Sequence, residues 1–469
     1  MVFDSFLFWY FYAVVLLAYF RLPHRGQNAL LLGASYVFYA CWDWRFLGLI
    51  WASTAVDYAV GRGLARTDAP SRRRALLLAS VGTNLSILGF FKYWDFFARE
   101  LGALLAAIGL PAAPPTLGLI LPVGISFYTF QTMSYTIDVY RRQTPACADP
   151  LDFALFVAFF PQLVAGPIER AGRLIGQIAR PRAPGVEDVR AGTYLILIGL
   201  FKKVVLADSL APLVESVFTG DASARAGPEV VMGAYAFALQ IYGDFSGYSS
   251  IAQGVARWLG FQLTDNFRHP FFARDLGDLW RRWHVSLSTW LRDYVYVPLG
   301  GSRRGAWRTA SNLLITFTLC GLWHGAAWTF VAWGAFHGAL LAARALLRSS
   351  AQPERPWALG DVGRAALTFH AFCAGLLLIR AESLTQSVEL VAAIVARPVM
   401  TDLAAAGLAM VAFYSTPLLL FEAWLERRGD LHGLLSAPWP ARAAVQGYMV
   451  WMLVLFHPGA KSVFYYFQF

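Results

Sequence analysis

Charged residues are scarce in this chain, at 14% of its 469 residues, whereas soluble proteins carry about a quarter. Hydrophobic residues make up 57% of the chain, and its mean hydropathy is +0.49. A soluble fold cannot bury that much apolar surface. A membrane-spanning helix needs about 20 predominantly apolar residues, and such runs recur along the whole chain. The composition therefore predicts an all-α polytopic membrane protein.

Motifs of several enzyme classes are missing. The four cysteines form no CxxC pair, which disfavours a zinc ribbon or a disulfide framework. The strings HExxH, GxxxxGK[ST] and GxSxG are also absent, which disfavours a metalloprotease, a P-loop nucleotidase and a serine hydrolase. We expect no metal site and no permanently bound cofactor. Histidine is left as the plausible general base within the membrane, because its pKa lies near neutral pH.

Basic residues outnumber acidic ones by 39 to 29, which gives a net charge of +10. They cluster in short links between apolar runs, as in residues 61–74, 170–190 and 300–308. Such links are typical of the cytoplasmic side of a membrane, and they place the N-terminus outside the cytoplasm. The positive net charge does not indicate a nucleic-acid partner, because no soluble basic domain is present to bind one.

Apolar length and loop charge predict twelve spans within one membrane domain, residues 1–469. Their approximate limits are 3–20, 28–42, 46–60, 75–91, 120–140, 193–208, 229–246, 312–323, 328–346, 365–379, 403–422 and 443–457. The apolar stretch 153–166 is too short to span, and it ends in Pro161 and Gly166-Pro167. It predicts a re-entrant element whose backbone is shielded by protein.

One predicted pair of spans is separated by a histidine. Residues 312–346 are too long for one crossing and are interrupted by Gly321, His324, Gly325 and Gly334. We divide them at the segment GLWHG. An ionisable ring in the apolar layer is a functional-site hypothesis, although a structural hydrogen bond would explain His324 equally well.

The other histidines have simpler explanations. The simpler explanation of His284 is that it lies on the face of a helix at the membrane interface. Loop histidines such as His269 are expected to be solvated, and those on apolar runs, such as His337, are expected to be hydrogen-bonded in the core.

Residues 265–308 are aromatic and basic at once. Read as one helix, this region places Arg281, Ser288 and Arg292 on one face. The opposite face would carry Trp280, Trp283, Leu287, Trp290 or Leu291, and Tyr294. Such a helix would lie in the interface or dip into the protein from the cytoplasmic side.

Two strings in this part of the chain resemble the membrane-bound O-acyltransferase family, and most closely its bacterial alginate O-acetylation branch. They are DLWRRWHVSLSTWLRDYVYVPLGGSRR at 278–304 and GLWHGAAW at 321–328, and further strings at 121–142, 163–170 and 240–252 agree. The resemblance implies a ring of about 11 to 12 transmembrane helices, with re-entrant and interfacial helices, around a central tunnel. Residues 265–346 would form the histidine-containing catalytic core.

The resemblance also implies the reaction. An acetyl group would pass from a cytoplasmic thioester, acetyl-CoA or another acyl thioester, across the membrane for O-acetylation of an exported, alginate-like polysaccharide. His324 matches the invariant histidine of the family, and His284 matches the second histidine of this branch, so both are expected to be catalytic. His324 would either deprotonate the acceptor hydroxyl or briefly carry the acyl group itself, and donor binding is an alternative role for His284. Arginine side chains of this region are expected to meet donor phosphates. The expected substrate-binding residues are Trp280, Arg281, Arg282, Trp283, Ser288, Arg292, Asp293, Trp323 and Asp244.

The sequence departs from the alginate branch at two places, so the identity of the acceptor is left undetermined. Ser250 stands where the alginate branch has Asp, and Leu378-Ile379-Arg380-Ala381 is less aromatic than its counterpart. Peptidoglycan O-acetylation and D-alanyl transfer to teichoic acid remain alternatives on the same fold. A secondary transporter or lipid flippase would also have many spans and a broken helix, but the chain has no inverted repeat.

The resemblance and the short outer loops imply several partners. Besides membrane lipids, we expect an extracytoplasmic or membrane-anchored acetyltransferase that passes the acetyl group to the polysaccharide. The expected location is the bacterial inner membrane.

Overall fold

The computed structural model describes residues 1–110, 114–347 and 357–456, and every regular element in these ranges is helical. The α-helices are α1 (Phe6–Tyr19), α2 (His24–Asp43), α3 (Leu47–Ala65), α4 (Pro70–Leu88), α5 (Trp94–Ala107), α6 (Ile125–Tyr140), α7 (Pro150–Ala158), α8 (Phe160–Leu163), α9 (Ala171–Ile178), α10 (Val186–Leu200), α11 (Asp208–Phe218), α12 (Gly227–Trp258), α13 (Leu276–Arg282), α14 (Val285–Leu291), α15 (Gly305–His324), α16 (Trp328–Leu346), α17 (Val362–Arg380), α18 (Leu384–Ala396), α19 (Asp402–Arg428) and α20 (Trp439–Leu455). Short π-helical segments follow α4, α10 and α14.

Each of the twelve predicted spans overlaps at least one helix. Residues 3–5 and 120–124 precede the helices of their spans, and residue 457 lies outside the described residues. Within the described ranges, four helical stretches are long and apolar enough to cross a membrane: Pro70–Ala107, Trp328–Leu346, Leu359–Arg380 and Asp402–Arg428. Large apolar side chains point outward, as in α1, where Phe6 is 75% exposed. Such surfaces suit a lipid environment.

The chain divides into two compact units. The first consists of Met1–Gly192 and Val255–Thr264, and the second consists of Thr193–Gly254 and the described residues from Asp265 onward. All predicted site residues lie in the second unit. The assignment of residues 1–469 to one domain stays a prediction.

The stretch 153–166, predicted to be a re-entrant element, lies in the first unit, and its helix is interrupted between α7 and α8 at Phe159. The side chains from Leu155 to Phe160 are fully buried. The carbonyl group of Phe156 accepts hydrogen bonds from the side-chain amides of Gln131 (2.6 Å) and Gln162 (2.9 Å). Because side chains replace the missing helical hydrogen bonds, the broken backbone is stable while buried, as expected for an element that protein shields.

In the second unit, α15 and α16 form a tight antiparallel hairpin. A Cβ atom on Gly321 would collide with the carbonyl oxygen of Phe330. A Cβ atom on Gly334 would collide with the carbonyl oxygen of Phe317. Small residues that let helix backbones approach closely are a common packing device in membranes. This hairpin fixes the position of His324 at the end of α15.

Candidate active site

A cavity of about 560 Å³ lies among α13, α14, α15 and α16, within the size range of small-molecule sites. His284 and His324 both line it. So do five of the predicted substrate-binding residues: Trp280, Arg281, Trp283, Ser288 and Arg292.

His324 is the last residue of α15, and its side chain is buried. The helix stops because Gly325 is extended, at φ −158° and ψ 149°. The imidazole packs edge-on against the rings of Trp323 and Trp333, at centroid distances of 4.9 and 5.1 Å. The predicted break at this histidine is confirmed. Gly321 was expected to contribute to the break but lies inside α15, where it serves helix packing instead.

His284 lies between two helices rather than within one. The structure ends α13 at Arg282 and begins α14 at Val285, so the predicted continuous helix is wrong. The backbone of His284 is left-handed, at φ 43° and ψ 55°, a conformation that residues with a Cβ atom rarely adopt. The break turns the imidazole inward, where only 2% of the residue is exposed.

Asn266 holds this turn in place. Its side-chain oxygen accepts hydrogen bonds from the backbone N–H of Ser286 (3.2 Å) and the hydroxyl of Ser286 (2.9 Å). The same oxygen lies 3.1 Å from Nδ1 of His284. Because a backbone N–H can only donate, the contacting atom of Asn266 is its oxygen, and Nδ1 of His284 must carry a proton. The lone pair of the neutral imidazole is therefore on Nε2.

Trp323 links the two histidines. Its indole ring lies 4.9 Å from the ring of His324 and 6.2 Å from the ring of His284, measured between centroids. Trp323 does not itself line the cavity. Two imidazoles thus face one cavity, and either can accept a proton from a hydroxyl group bound there.

Three predicted substrate-binding residues lie outside the cavity lining, in ion pairs. Arg282 binds Asp278 (3.0 Å) and Glu426 (2.8 Å). Asp293 binds Arg292 at 2.8 Å, and Asp244 binds Lys203 at 2.6 Å. The pairs of Arg282 and Asp244 are largely buried, where a charge requires a partner. The substrate-binding roles of these three residues stay predictions.

One of the simpler histidine assignments is wrong, and another is right about burial but wrong about hydrogen bonding. His269 is buried rather than solvated, and its Nδ1 lies 3.3 Å from a carboxylate oxygen of Glu426. His337 is fully buried among aromatic rings, and among the described residues neither of its ring nitrogens has a hydrogen-bond partner. Both differences arise because a histidine's neighbours in the fold come from distant helices.

Four arginines line the cavity: Arg268, Arg281, Arg292 and Arg344. Two of them, Arg268 and Arg344, were not found from the sequence, since neither lies on the expected helix face. Guanidinium groups bind phosphate oxygens through two parallel hydrogen bonds. Among the described residues, no three His, Cys, Asp or Glu side chains form a group suited to a metal ion.

A known protein family matches the part of the chain that forms this cavity. The model of the membrane-bound O-acyltransferase family matches residues 140–375, and all cavity-lining residues fall in that range. The chain belongs to the membrane-bound O-acyltransferase family. It is therefore a membrane-embedded, multi-pass O-acyltransferase, which confirms the resemblance seen in the sequence.

Relatives from several bacteria are similar over most of their length. A probable alginate O-acetylase AlgI from Azotobacter vinelandii is 42% identical over 393 residues, covering 82% of this chain and 76% of the relative. The protein of the same name from Pseudomonas putida is 41% identical, covering 82% and 78%. A peptidoglycan O-acetyltransferase from Helicobacter pylori is 35% identical over 362 residues, covering 71% and 68%.

Proposed function

We propose that this O-acyltransferase transfers acetyl groups from a cytoplasmic thioester, acetyl-CoA or another acyl thioester, for the O-acetylation of an exported, alginate-like polysaccharide. The observation that carries the proposal is the pair of buried histidines facing one cavity that four arginines also line. The similarity to proteins named alginate O-acetylase, at 42% identity, supports this class of acceptor.

His324 acts as the base in the proposed reaction. It takes the proton from the hydroxyl group of the acceptor while the oxygen of that hydroxyl bonds to the carbonyl carbon of the thioester. The carbon–sulfur bond then breaks, and the imidazolium returns the proton to the departing thiolate, so the reaction consumes no net proton. The lone pair on Nε2 lets His284 accept a hydrogen bond from a group in the cavity.

Location and partners complete the proposal. The protein lies in the bacterial inner membrane with its N-terminus outside the cytoplasm, as the basic loops indicate. An extracytoplasmic or membrane-anchored acetyltransferase takes the acetyl group onward to the polysaccharide, since the loops assigned to the outer side are short.

Peptidoglycan O-acetylation is the second candidate. It is supported by the 35% identity to the Helicobacter pylori enzyme of that name. Acetyl analysis of both polymers in the same cells separates the two candidates.

The test compares alkali-labile acetyl on the exported polysaccharide from cells with the wild-type protein, His324→Ala or His370→Ala. We expect His324→Ala to lose at least about 100-fold, the usual minimum contribution of a general base. His370 is exposed and lies outside the cavity lining, so His370→Ala should retain wild-type acetylation. Normal acetylation by His324→Ala, at equal amounts of membrane protein, would rule out the catalytic role.

A further inference from the structure

Arg344 is an arginine of the cavity wall that the reaction described above does not use. It lies on the last turn of α16 with its side chain 24% exposed. Its Nη2 donates to Oδ2 of Asp275 at 3.0 Å. Asp275 in turn caps α13, because its Oδ1 accepts from the backbone N–H of Asp278 at 2.9 Å. The ion pair thus orients the guanidinium, and the bond to Asp275 uses one of its five N–H donors.

The neighbouring Gly277 leaves room for this guanidinium. A Cβ atom at position 277 would collide with Nη1 of Arg344. Gly277 does not have a positive φ angle, so its backbone does not require glycine. Glycine in a helix costs up to about 1 kcal/mol relative to alanine. The space that it leaves is therefore used for the position of Arg344.

Arg344 and His324 lie at opposite ends of the cavity. The lining residues of α15 run from Leu313 to His324, and eleven residues at 1.5 Å each span about 16 Å. The backbone of Gly338 packs against Leu314, so the C-terminal end of α16 lies beside the Leu313 end of α15. Most side chains between the two ends are apolar.

The distance between the two ends of the cavity matches the length of a thioester donor with a long arm. A peptide-like chain extends about 3.5 Å per residue. A pantetheine arm, comparable to four or five residues, therefore covers roughly the same distance as the cavity. With its acyl carbon beside His324, such a donor would place its first phosphate near Arg344.

We infer that Arg344, positioned by Asp275 and Gly277, binds a phosphate group of the donor and so selects a phosphate-bearing thioester over one without phosphate. This inference rests on the proposed thioester donor. Coenzyme A and a protein-bound phosphopantetheine share the recognised chemistry. An Arg344 that only joined α16 to α13 would also form the ion pair, so the test must separate phosphate binding from this structural role.

The test is calorimetric binding of coenzyme A, 4′-phosphopantetheine and pantetheine to the full-length protein in detergent. Arg344→Ala should weaken coenzyme A binding about tenfold or more, as expected for a lost charge-assisted hydrogen bond. Its affinity for pantetheine should not change. An equal loss for 4′-phosphopantetheine would place Arg344 on the phosphate nearest the arm, whereas a loss for coenzyme A alone would place it on the nucleotide phosphates.

Two further variants and a control make the result independent of folding. Gly277→Ala keeps the charge but displaces the guanidinium, so it should also weaken coenzyme A binding selectively. Arg344→Lys should give an intermediate affinity, because it keeps the charge and loses the planar fork. Arg308 is exposed and outside the cavity lining, so Arg308→Ala should bind like the wild type.

Two outcomes would overturn the inference. One is an unchanged affinity for coenzyme A in Arg344→Ala and Gly277→Ala. The other is an equal loss for coenzyme A and pantetheine, which would show a structural role. If the wild-type protein binds neither coenzyme A nor the other two compounds, the proposed donor itself is wrong, which is a separate result.

Discussion

Asn266 determines how His284 is presented to the cavity. Its oxygen holds Nδ1 of His284 and both donors of Ser286, so it fixes the proton position and the left-handed turn together. We predict that Asn266→Ala lowers acetylation about tenfold to a hundredfold, because His284 loses its orientation and with it part of the roughly 10²- to 10⁴-fold that a positioned acid or base contributes. The measurement is acetyl content per amount of membrane protein.

Asn266→Asp is the matched variant for this prediction. It keeps the acceptor oxygen, so it should retain more activity than Asn266→Ala. Binding of coenzyme A should be unchanged in both, since Asn266 does not line the cavity. A loss of donor binding that parallels the loss of activity would mean that the variant disturbs the whole site rather than one histidine.

The hairpin of α15 and α16 depends on close backbone contact. We predict that Gly321→Ala and Gly334→Ala each destabilise the protein by about 1–3 kcal/mol, because the added methyl group meets a backbone carbonyl that cannot move aside. Thermal unfolding of the purified protein in detergent measures this effect. Gly82 in α4 has nothing within 4 Å of an added Cβ atom, so Gly82→Ala should be neutral or slightly stabilising. Equal unfolding temperatures for all three variants would contradict the close packing.

Some elements could be predicted from the sequence because their signal is local. An apolar run of span length becomes a helix wherever it lies in the fold, and all twelve predicted runs are helical over most of their described length. The apolar helix α18 was missed because its 13 residues are too few for a span.

Other features depend on distant contacts. The spacing of Trp280, Trp283 and Leu287 continues through the break at His284, so the sequence pattern indicates one helix. The turn is held by Asn266, 18 residues earlier in the chain than His284, and no local pattern reveals that bond. Asp244, which is predicted to bind substrate, pairs with a buried lysine on another helical segment, and no local pattern reveals that contact either.

At the scale of the whole molecule, the proposed reaction requires the end of the cavity that Arg344 lines, here called the arginine end, to open to the cytoplasm. The loop at residues 300–304 leads directly into α15, whose residue Leu313 lines the cavity at that end. Its Arg303 and Arg304 are exposed, as expected for a cytoplasmic loop. The same assignment places the N-terminus on the opposite side. An experiment that determines on which side of the membrane these segments lie therefore also tests whether the donor can enter from the cytoplasm.

Cysteine labelling in cells answers this question. Of the four cysteines, Cys41 is exposed and the other three are buried, so Cys41→Ser provides a background with low reactivity. In that background, a membrane-impermeant thiol reagent should label Val2→Cys in intact cells and Arg303→Cys only after the membrane is permeabilised. Labelling of Arg303→Cys in intact cells would place the arginine end of the cavity outside, where no cytoplasmic thioester could reach it.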